Sequence, residues 1–193
     1  MKKARLEIRI EMDLKEIYIK FCKEKKYVLS KRLREFINDY FDDKNHFRYA
    51  ELLLCLPKTW LMGDEEFKIE DNYWPIRWLR TIARLPHEYN TWLGFGHTIP
   101  NGEPAQPYSK KTELNCMMLS FPWLVNDSGN LINLKIEENK VINFYSLIPI
   151  YTEEMEFKLK KSTESLLKRL EKNQICELVD INRKNTCKDL FFI

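Results

Sequence analysis

The apolar residues of this 193-residue chain change their spacing several times, and each spacing predicts a different element. Two apolar runs, Leu52–Leu56 and Leu114–Leu119, are too short for helices and are typical of strands buried on both faces of a sheet. The runs Leu131–Ile136 and Val141–Ile150 predict a hairpin with a short turn between them. Proline has no N–H to donate to a neighbouring strand, so Pro149 predicts the edge or the end of the second run.

Helical spacing begins in the middle of the chain. The pattern predicts a helix from Tyr73 to Leu85, with Asp71 or Asn72 as its N-cap and Pro86 directly after its last residue. Apolar side chains occupy one side of this helix. The other side carries arginines at i, i+3 and i+7, which are Arg77, Arg80 and Arg84.

A second helical pattern starts at Thr152. Its apolar face is predicted to contain four residues, Met155, Leu159, Leu166 and Leu170. Ser162 and Thr163 predict either a bend or a new helix start at that point. Together these elements predict an α+β fold, in which a mostly antiparallel mixed sheet packs against two main helices.

The N-terminus has its own pattern, and residues 1–45 predict a strand-helix-helix extension before a second domain at residues 46–193. One interpretation is a docking extension that completes the sheet. The alternative is a ribbon-helix-helix-like unit, which pairs its strand in a dimer and places Arg5 and Arg9 in the major groove of DNA. As a ribbon-helix-helix-like unit, the extension would make the protein a dimeric DNA-binding autoregulator. As a docking extension, it leaves the oligomeric state open.

Charge is distributed unevenly along the chain. The net charge is +3, but residues 1–34 contain twelve Lys or Arg against five Asp or Glu, which gives +7 and leaves −4 for the remainder. A basic head and an acidic body indicate an anionic partner for the head or a basic partner for the body. The first residues lack the apolar core of a secretory signal, and no segment is apolar enough to span a membrane, so we expect a cytoplasmic protein.

No motif in the chain indicates catalysis or a cofactor. The GFGH sequence lacks the spacing of a phosphate-binding loop. His87 and His97 could approach Cys116 or Glu103, but no HExxH or CxxC spacing enforces a metal site. The five cysteines lie mostly in apolar runs, where a thiol behaves as a small apolar group. We therefore predict no metal, no cofactor and no enzymatic activity.

Large aromatic side chains and glycines alternate after Pro86. Tyr89 and Trp92 precede Phe95, which lies between Gly94 and Gly96. The Pro-Asn-Gly sequence that follows is typical of a tight turn. This composition predicts an ordered loop or an edge strand.

Four segments in order resemble the suppressor of fused family. The core of the resemblance is YWPIRWLRTIARLPH followed by TWLGFGHTIPNGEP, and the flanking matches are AELLLCLPKTW and NFYSLIPIYTEEMEFKLKKSTESLL. The resemblance implies a protein-binding module and not an enzyme. The single short domain resembles bacterial members that look like immunity proteins or antitoxins, which bind and neutralise a cognate toxin such as a nuclease.

An acidic inhibitor would associate faster with a basic nuclease, and aromatic residues and arginine are enriched where binding energy concentrates. These two considerations select the candidate partner-binding residues, namely Asp64, Glu65, Glu66, Arg77, Arg80, Arg84, Trp92, His97, Glu153, Glu154 and Glu156.

Overall fold

The structure is a computed structural model that describes residues 49–124, 131–138 and 140–188. The predicted N-terminal extension, with Arg5 and Arg9, therefore lies outside the described residues. Within the described ranges, five strands and three α-helices form an α+β fold, as predicted. The elements in chain order are β1 (Ala50–Leu53), α1 (Glu70–Glu88), β2 (Thr98–Pro100), β3 (Cys116–Ser120), β4 (Leu134–Glu137), β5 (Lys140–Ile150), α2 (Thr152–Lys160) and α3 (Thr163–Lys172).

The long strand β5 organises the sheet. Its first residues pair with β4 in the predicted hairpin, its middle pairs in parallel with β1, and its end pairs antiparallel with β3. Strand β2 pairs antiparallel with the other side of β3, which gives the order β1-β5-β3-β2. Three of the four strand pairs are antiparallel, so the prediction of a mostly antiparallel mixed sheet is confirmed.

Both faces of the sheet are covered by helices. Met117 and Leu119 of β3 belong to the core that contains Trp74 of α1, whereas Cys116 and Met118 belong to a second core with α3. Successive side chains of a strand point to opposite faces, so this division follows from the pleat. It also explains why Cys116–Leu119 of β3 is an uninterrupted apolar run, since a strand covered on both sides has no solvent face.

Helix α1 is longer than the pattern predicts. It begins at Glu70, three residues before Tyr73, and its N-cap is Ile69; neither Asp71 nor Asn72 serves as the N-cap. The side chain of Asn72 instead donates from Nδ2 to the carbonyl of Glu66 at 3.1 Å. The prediction that Pro86 ends the helix is also wrong, because Pro86 lies inside the last turn.

Two predictions about the strands need correction. Leu52–Leu56 is not buried on both faces, because β1 is the edge strand of the described sheet and its side chains are exposed or half-buried. Pro149 does not end β5; it lies inside the strand opposite Met117. A proline is tolerated here because β1 stops pairing at Ser146, so the other side of β5 requires no donor from Pro149.

The late helix is interrupted, which settles the choice between a bend and a new start. Ser162 is the N-cap of α3, and its hydroxyl accepts a hydrogen bond from the Ser165 N–H at 3.1 Å. Leu166 and Leu170 are buried as predicted, but Leu159 is 66% exposed and does not belong to the core. No helix among the described residues is long and apolar enough to cross a membrane.

Candidate functional site

The aromatic loop begins where α1 ends in a left-handed residue. Tyr89 is the C-cap, and Asn90 follows it with φ of 48°. The Thr91 N–H then donates to the Pro86 carbonyl at 3.0 Å, which is the long hydrogen bond of a Schellman motif. Asparagine adopts this conformation more readily than most residues. The motif turns the chain sharply and leaves Tyr89 74% exposed.

The far end of the loop is anchored to the sheet. Phe95 stacks on Phe121 with ring centroids 4.5 Å apart and an interplanar angle of 7°. The Gly96 N–H donates to the Leu119 carbonyl at 2.8 Å, and the Leu119 N–H donates back to the His97 carbonyl at 2.9 Å. The loop is therefore held by one half-buried ring, which stacks on the buried Phe121, and by two backbone hydrogen bonds.

Gly96 also fits closely against the start of α3. Its φ is 81°, a conformation that side chains with a Cβ rarely adopt. A Cβ built there would lie 2.7 Å from Thr163 Oγ1 and 3.2 Å from Thr163 Cγ2. Both the backbone conformation and the available space therefore require glycine at this position.

With its ends held in this way, the loop presents aromatic rings at the surface. Trp92 is 46% exposed, and its ring lies 4.5 Å from the ring of His97. Burial lowers the pKa of His97, and the positive charge of Lys158 on α2 lowers it further. The imidazole is thus neutral at physiological pH. We call Tyr89, Trp92 and His97 the aromatic surface; α2 borders it at Lys158, which precedes the exposed Leu159.

The other predicted residues lie in separate places. Asp64, Glu65 and Glu66 are in the turn before α1, where Glu65 pairs with Lys68. Two of the predicted arginines have partners on their own helix: Arg77 binds Glu70 at 2.6 Å, and Arg80 donates to the Tyr73 hydroxyl at 2.8 Å. Arg84 is exposed. Of the predicted site residues, the structure brings the rings of Trp92 and His97 together.

The three predicted glutamates of α2 have different environments. Glu154 is fully buried and accepts two hydrogen bonds from the Arg183 guanidinium, at 2.5 and 2.9 Å. Burial alone would raise the pKa of Glu154, but the hydrogen bonds and charge of Arg183 hold it below its ordinary value. Glu153 accepts a hydrogen bond from Asn185, and Glu156 lies 3.8 Å from Lys160. Glu154 and Glu153 therefore hold the C-terminal segment, whereas Glu156, which is half-buried like Glu153, lies beside a lysine of its own helix.

One buried acid was not identified from the sequence. Glu177 is fully buried, and its two carboxylate oxygens accept the backbone N–H groups of Trp123 and Leu124 at 2.8 and 2.9 Å. Burial raises the pKa of Glu177 despite these two donors. Nothing in the sequence around Glu177 distinguishes it from an exposed glutamate, since its donors lie more than 50 residues away.

We expect the two buried glutamates to give the stability opposite pH dependences. The folded-state pKa of Glu177 is above its ordinary value of 4.5, so its stabilising contribution is present below that pH and is lost as the pH rises through the folded pKa. The folded-state pKa of Glu154 is lowered, so its contribution is present above pH 4.5 and is lost on acidification. Urea unfolding of wild type, Glu177→Gln and Glu154→Gln at a series of pH values tests this. Parallel pH profiles for the two variants would contradict it.

The described residues contain no group of three His, Cys, Asp or Glu side chains arranged to hold a metal ion. Burial raises the pKa of the Cys116 thiol to about 11 and also raises the pKa of Cys187, so neither is activated as a thiolate. The DNA-contacting role of Arg5 and Arg9 stays a prediction, since both precede the described residues.

Comparison with known proteins places these features in a family. The family model described as Suppressor of fused protein (SUFU) matches residues 30–184. The crystal structure of Drosophila Suppressor of Fused aligns at 18% identity and a TM-score of 0.47, covering 61% of this chain and 26% of that chain. The Sufu-Fu complex crystal structure aligns at 16% identity and a TM-score of 0.46, covering 67% of this chain and 55% of that chain.

This chain therefore spans only part of the length of either solved relative. No curated protein sequence matches it. The family model, however, covers most of the chain and includes every described strand and helix. The chain belongs to the suppressor of fused family.

Proposed function

We propose that this protein is a non-enzymatic protein-binding module that binds its partner through the aromatic surface. The observation that carries this proposal is the exposure of Tyr89 and Trp92 on a loop whose ends are fixed. An exposed ring on a fixed loop loses little conformational freedom on binding, and aromatic side chains dominate the energetics of protein interfaces. Family membership supports the same conclusion, because the family resemblance implies binding and not catalysis.

The packing around the loop supports a binding role more than a structural one. Phe95 and Gly96 already supply the contacts that attach the loop to the sheet and to α3. Tyr89 lies outside those contacts, and its 74% exposure is greater than that of any other large apolar side chain among the described residues. Exposed aromatic area that does not stabilise the fold is typical of an interaction site.

The specific form of the proposal is an immunity protein or antitoxin that binds and neutralises a cognate protein toxin. It is supported by the resemblance to bacterial single-domain members and by the −4 net charge that follows the basic head. Opposite charge would accelerate association with a basic toxin such as a nuclease. Helix α2 borders the aromatic surface at Lys158, whose charge acts on His97. Among the acidic candidates, Glu156 is the closest to Lys158 in the sequence.

The test is capture of the partner from the native cell, followed by titration with purified proteins. We expect the Tyr89→Ala, Trp92→Ala double variant to weaken binding by about tenfold or more, as for truncation of interface hot spots. Ile136→Ala is the matched control, because Ile136 is 49% exposed on β4 and does not belong to the aromatic surface. Equal affinities of the double variant and wild type would rule out the aromatic surface.

The toxin assignment requires a second measurement. The captured protein should harm cells that lack this chain, and an equimolar amount of this chain should inhibit its activity. A partner that is harmless, or whose activity is unchanged in the complex, would leave a binding module but refute the antitoxin role.

A further inference from the structure

A second exposed apolar surface lies between β1 and α1. Leu61, Met62 and Ile69 are 56%, 42% and 54% exposed. They flank a compact turn in which the Phe67 N–H donates to the Gly63 carbonyl at 3.0 Å, and Trp60 Nε1 attaches the preceding segment to α1 by donating to a backbone carbonyl at 2.9 Å. The turn is therefore fixed against the helix while these three apolar side chains are exposed to solvent. We call residues 61–69 the acidic apolar surface.

The charge of this surface is negative. Residues 61–69 contain three acidic side chains, Asp64, Glu65 and Glu66, against the single basic Lys68. The next two acids, Glu70 and Asp71, already pair with Arg77 and Lys111. A surface that combines exposed apolar side chains with negative charge fits an occupant that is both apolar and basic.

This chain contains such an occupant. Its basic head, residues 1–34, has a net charge of +7 and carries alternating apolar side chains at Leu6, Ile8, Ile10 and Met12. The segment 35–48 joins the head to Tyr49, and its fourteen residues span about 20 Å as a helix and at most about 50 Å when extended. The acidic apolar surface begins only twelve residues after Tyr49, on a domain whose radius of gyration is about 15 Å, so it is within reach of the head.

The head matches this surface in both respects: its aliphatic side chains suit Leu61, Met62 and Ile69, and its positive charge is opposite to the net charge of −2 on residues 61–69. We propose that the basic head docks in cis on the acidic apolar surface, leaving the aromatic surface open to a partner.

Limited trypsin digestion of the full chain tests this proposal, because the head contains twelve trypsin sites and a docked segment is cleaved only when it opens. We expect Leu61→Ser with Met62→Ser, which removes apolar contact without changing charge, to accelerate cleavage within residues 1–34 by about tenfold. The control Ile136→Ser makes the same kind of change at a comparably exposed position and should leave the rate unchanged. Thermal unfolding by circular dichroism shows whether each variant is folded.

A second variant keeps the test decisive if the double serine protein does not fold. Glu65→Gln with Glu66→Gln removes charge without changing shape and should accelerate cleavage of the head by about threefold, since screened surface charges contribute less than apolar contact. Cleavage rates that match wild type in this variant, or in a folded double serine variant, would overturn the proposal.

The remaining alternative is docking on a second copy of the chain. Docking in cis predicts a head cleavage rate that does not depend on protein concentration, and a monomeric mass by analytical ultracentrifugation. Protection that increases with concentration, together with a dimeric mass, would overturn docking in cis and place the head on a partner molecule.

Discussion

Glu154→Ala is expected to lower the free energy of unfolding by about 3–5 kcal/mol, which is the usual cost of removing one member of a buried ion pair. The Arg183 side chain is only 6% exposed, so the variant would leave its guanidinium buried without its counter-ion. Thr186 and Tyr151 would also lose their acceptor, since both donate backbone N–H groups to this carboxylate. Chemical unfolding at neutral pH measures the change.

Glu156→Ala is the matched control on the same helix. Glu156 lies 3.8 Å from Lys160, and the two side chains are 44% and 64% exposed, so the loss should be below about 1 kcal/mol. Similar losses for the two variants would show that the Glu154–Arg183 pair does not hold the C-terminal segment. A loss confined to Glu154→Ala would show that the buried carboxylate stabilises the fold and that the exposed carboxylate of Glu156 does not.

Gly96→Ala is expected to lower the free energy of unfolding by about 2–4 kcal/mol, from the left-handed backbone conformation together with the steric clash. The clash is with Thr163, whose Oγ1 would lie 2.7 Å from the new Cβ. The same change should move the aromatic loop and weaken partner binding. Thermal or chemical unfolding measures the first effect, and titration with the captured partner measures the second.

Two further variants separate the causes of the Gly96→Ala effect. Gly102 also has a positive φ, of 91°, but a Cβ there would meet only the Pro104 carbonyl at 3.6 Å. Gly102→Ala should therefore cost only the conformational part, about 1–2 kcal/mol. Adding Thr163→Ala to Gly96→Ala should recover part of the loss; no recovery would mean that the steric contact is unimportant.

The candidate site was only partly predictable from the sequence. Trp92 and His97 were both selected, and the structure places their rings 4.5 Å apart. Tyr89 was assigned to the same loop but not to the site, because its exposure depends on how α1 ends. The three glutamates at positions 153, 154 and 156 look equivalent in the sequence, yet Glu154 is the fully buried one. Its partner Arg183 lies 29 residues away, beyond the reach of any local pattern.

The burial of the strands was also only partly predictable from the sequence. The uninterrupted apolar run at β3 predicted burial on both faces, and it is buried on both. A similar run at Leu52–Leu56 predicted the same and is half-exposed, because β1 lies at the edge of the described sheet. Apolar composition reports how well a segment tolerates burial. It does not report how many neighbouring strands the segment will have.

The sequence by itself determined the α+β class, the hairpin and the two main helical segments, because periodicity and turn residues act over a few positions. The family was indicated separately, by the resemblance of four segments. Only the tertiary structure decided the parallel pairing of β1 with β5, the attachment of the aromatic loop to α3 through Gly96, and the burial of Glu154 and Glu177. Each of these depends on groups that are distant in the chain. Such contacts form only when the whole core packs, so no local pattern encodes them.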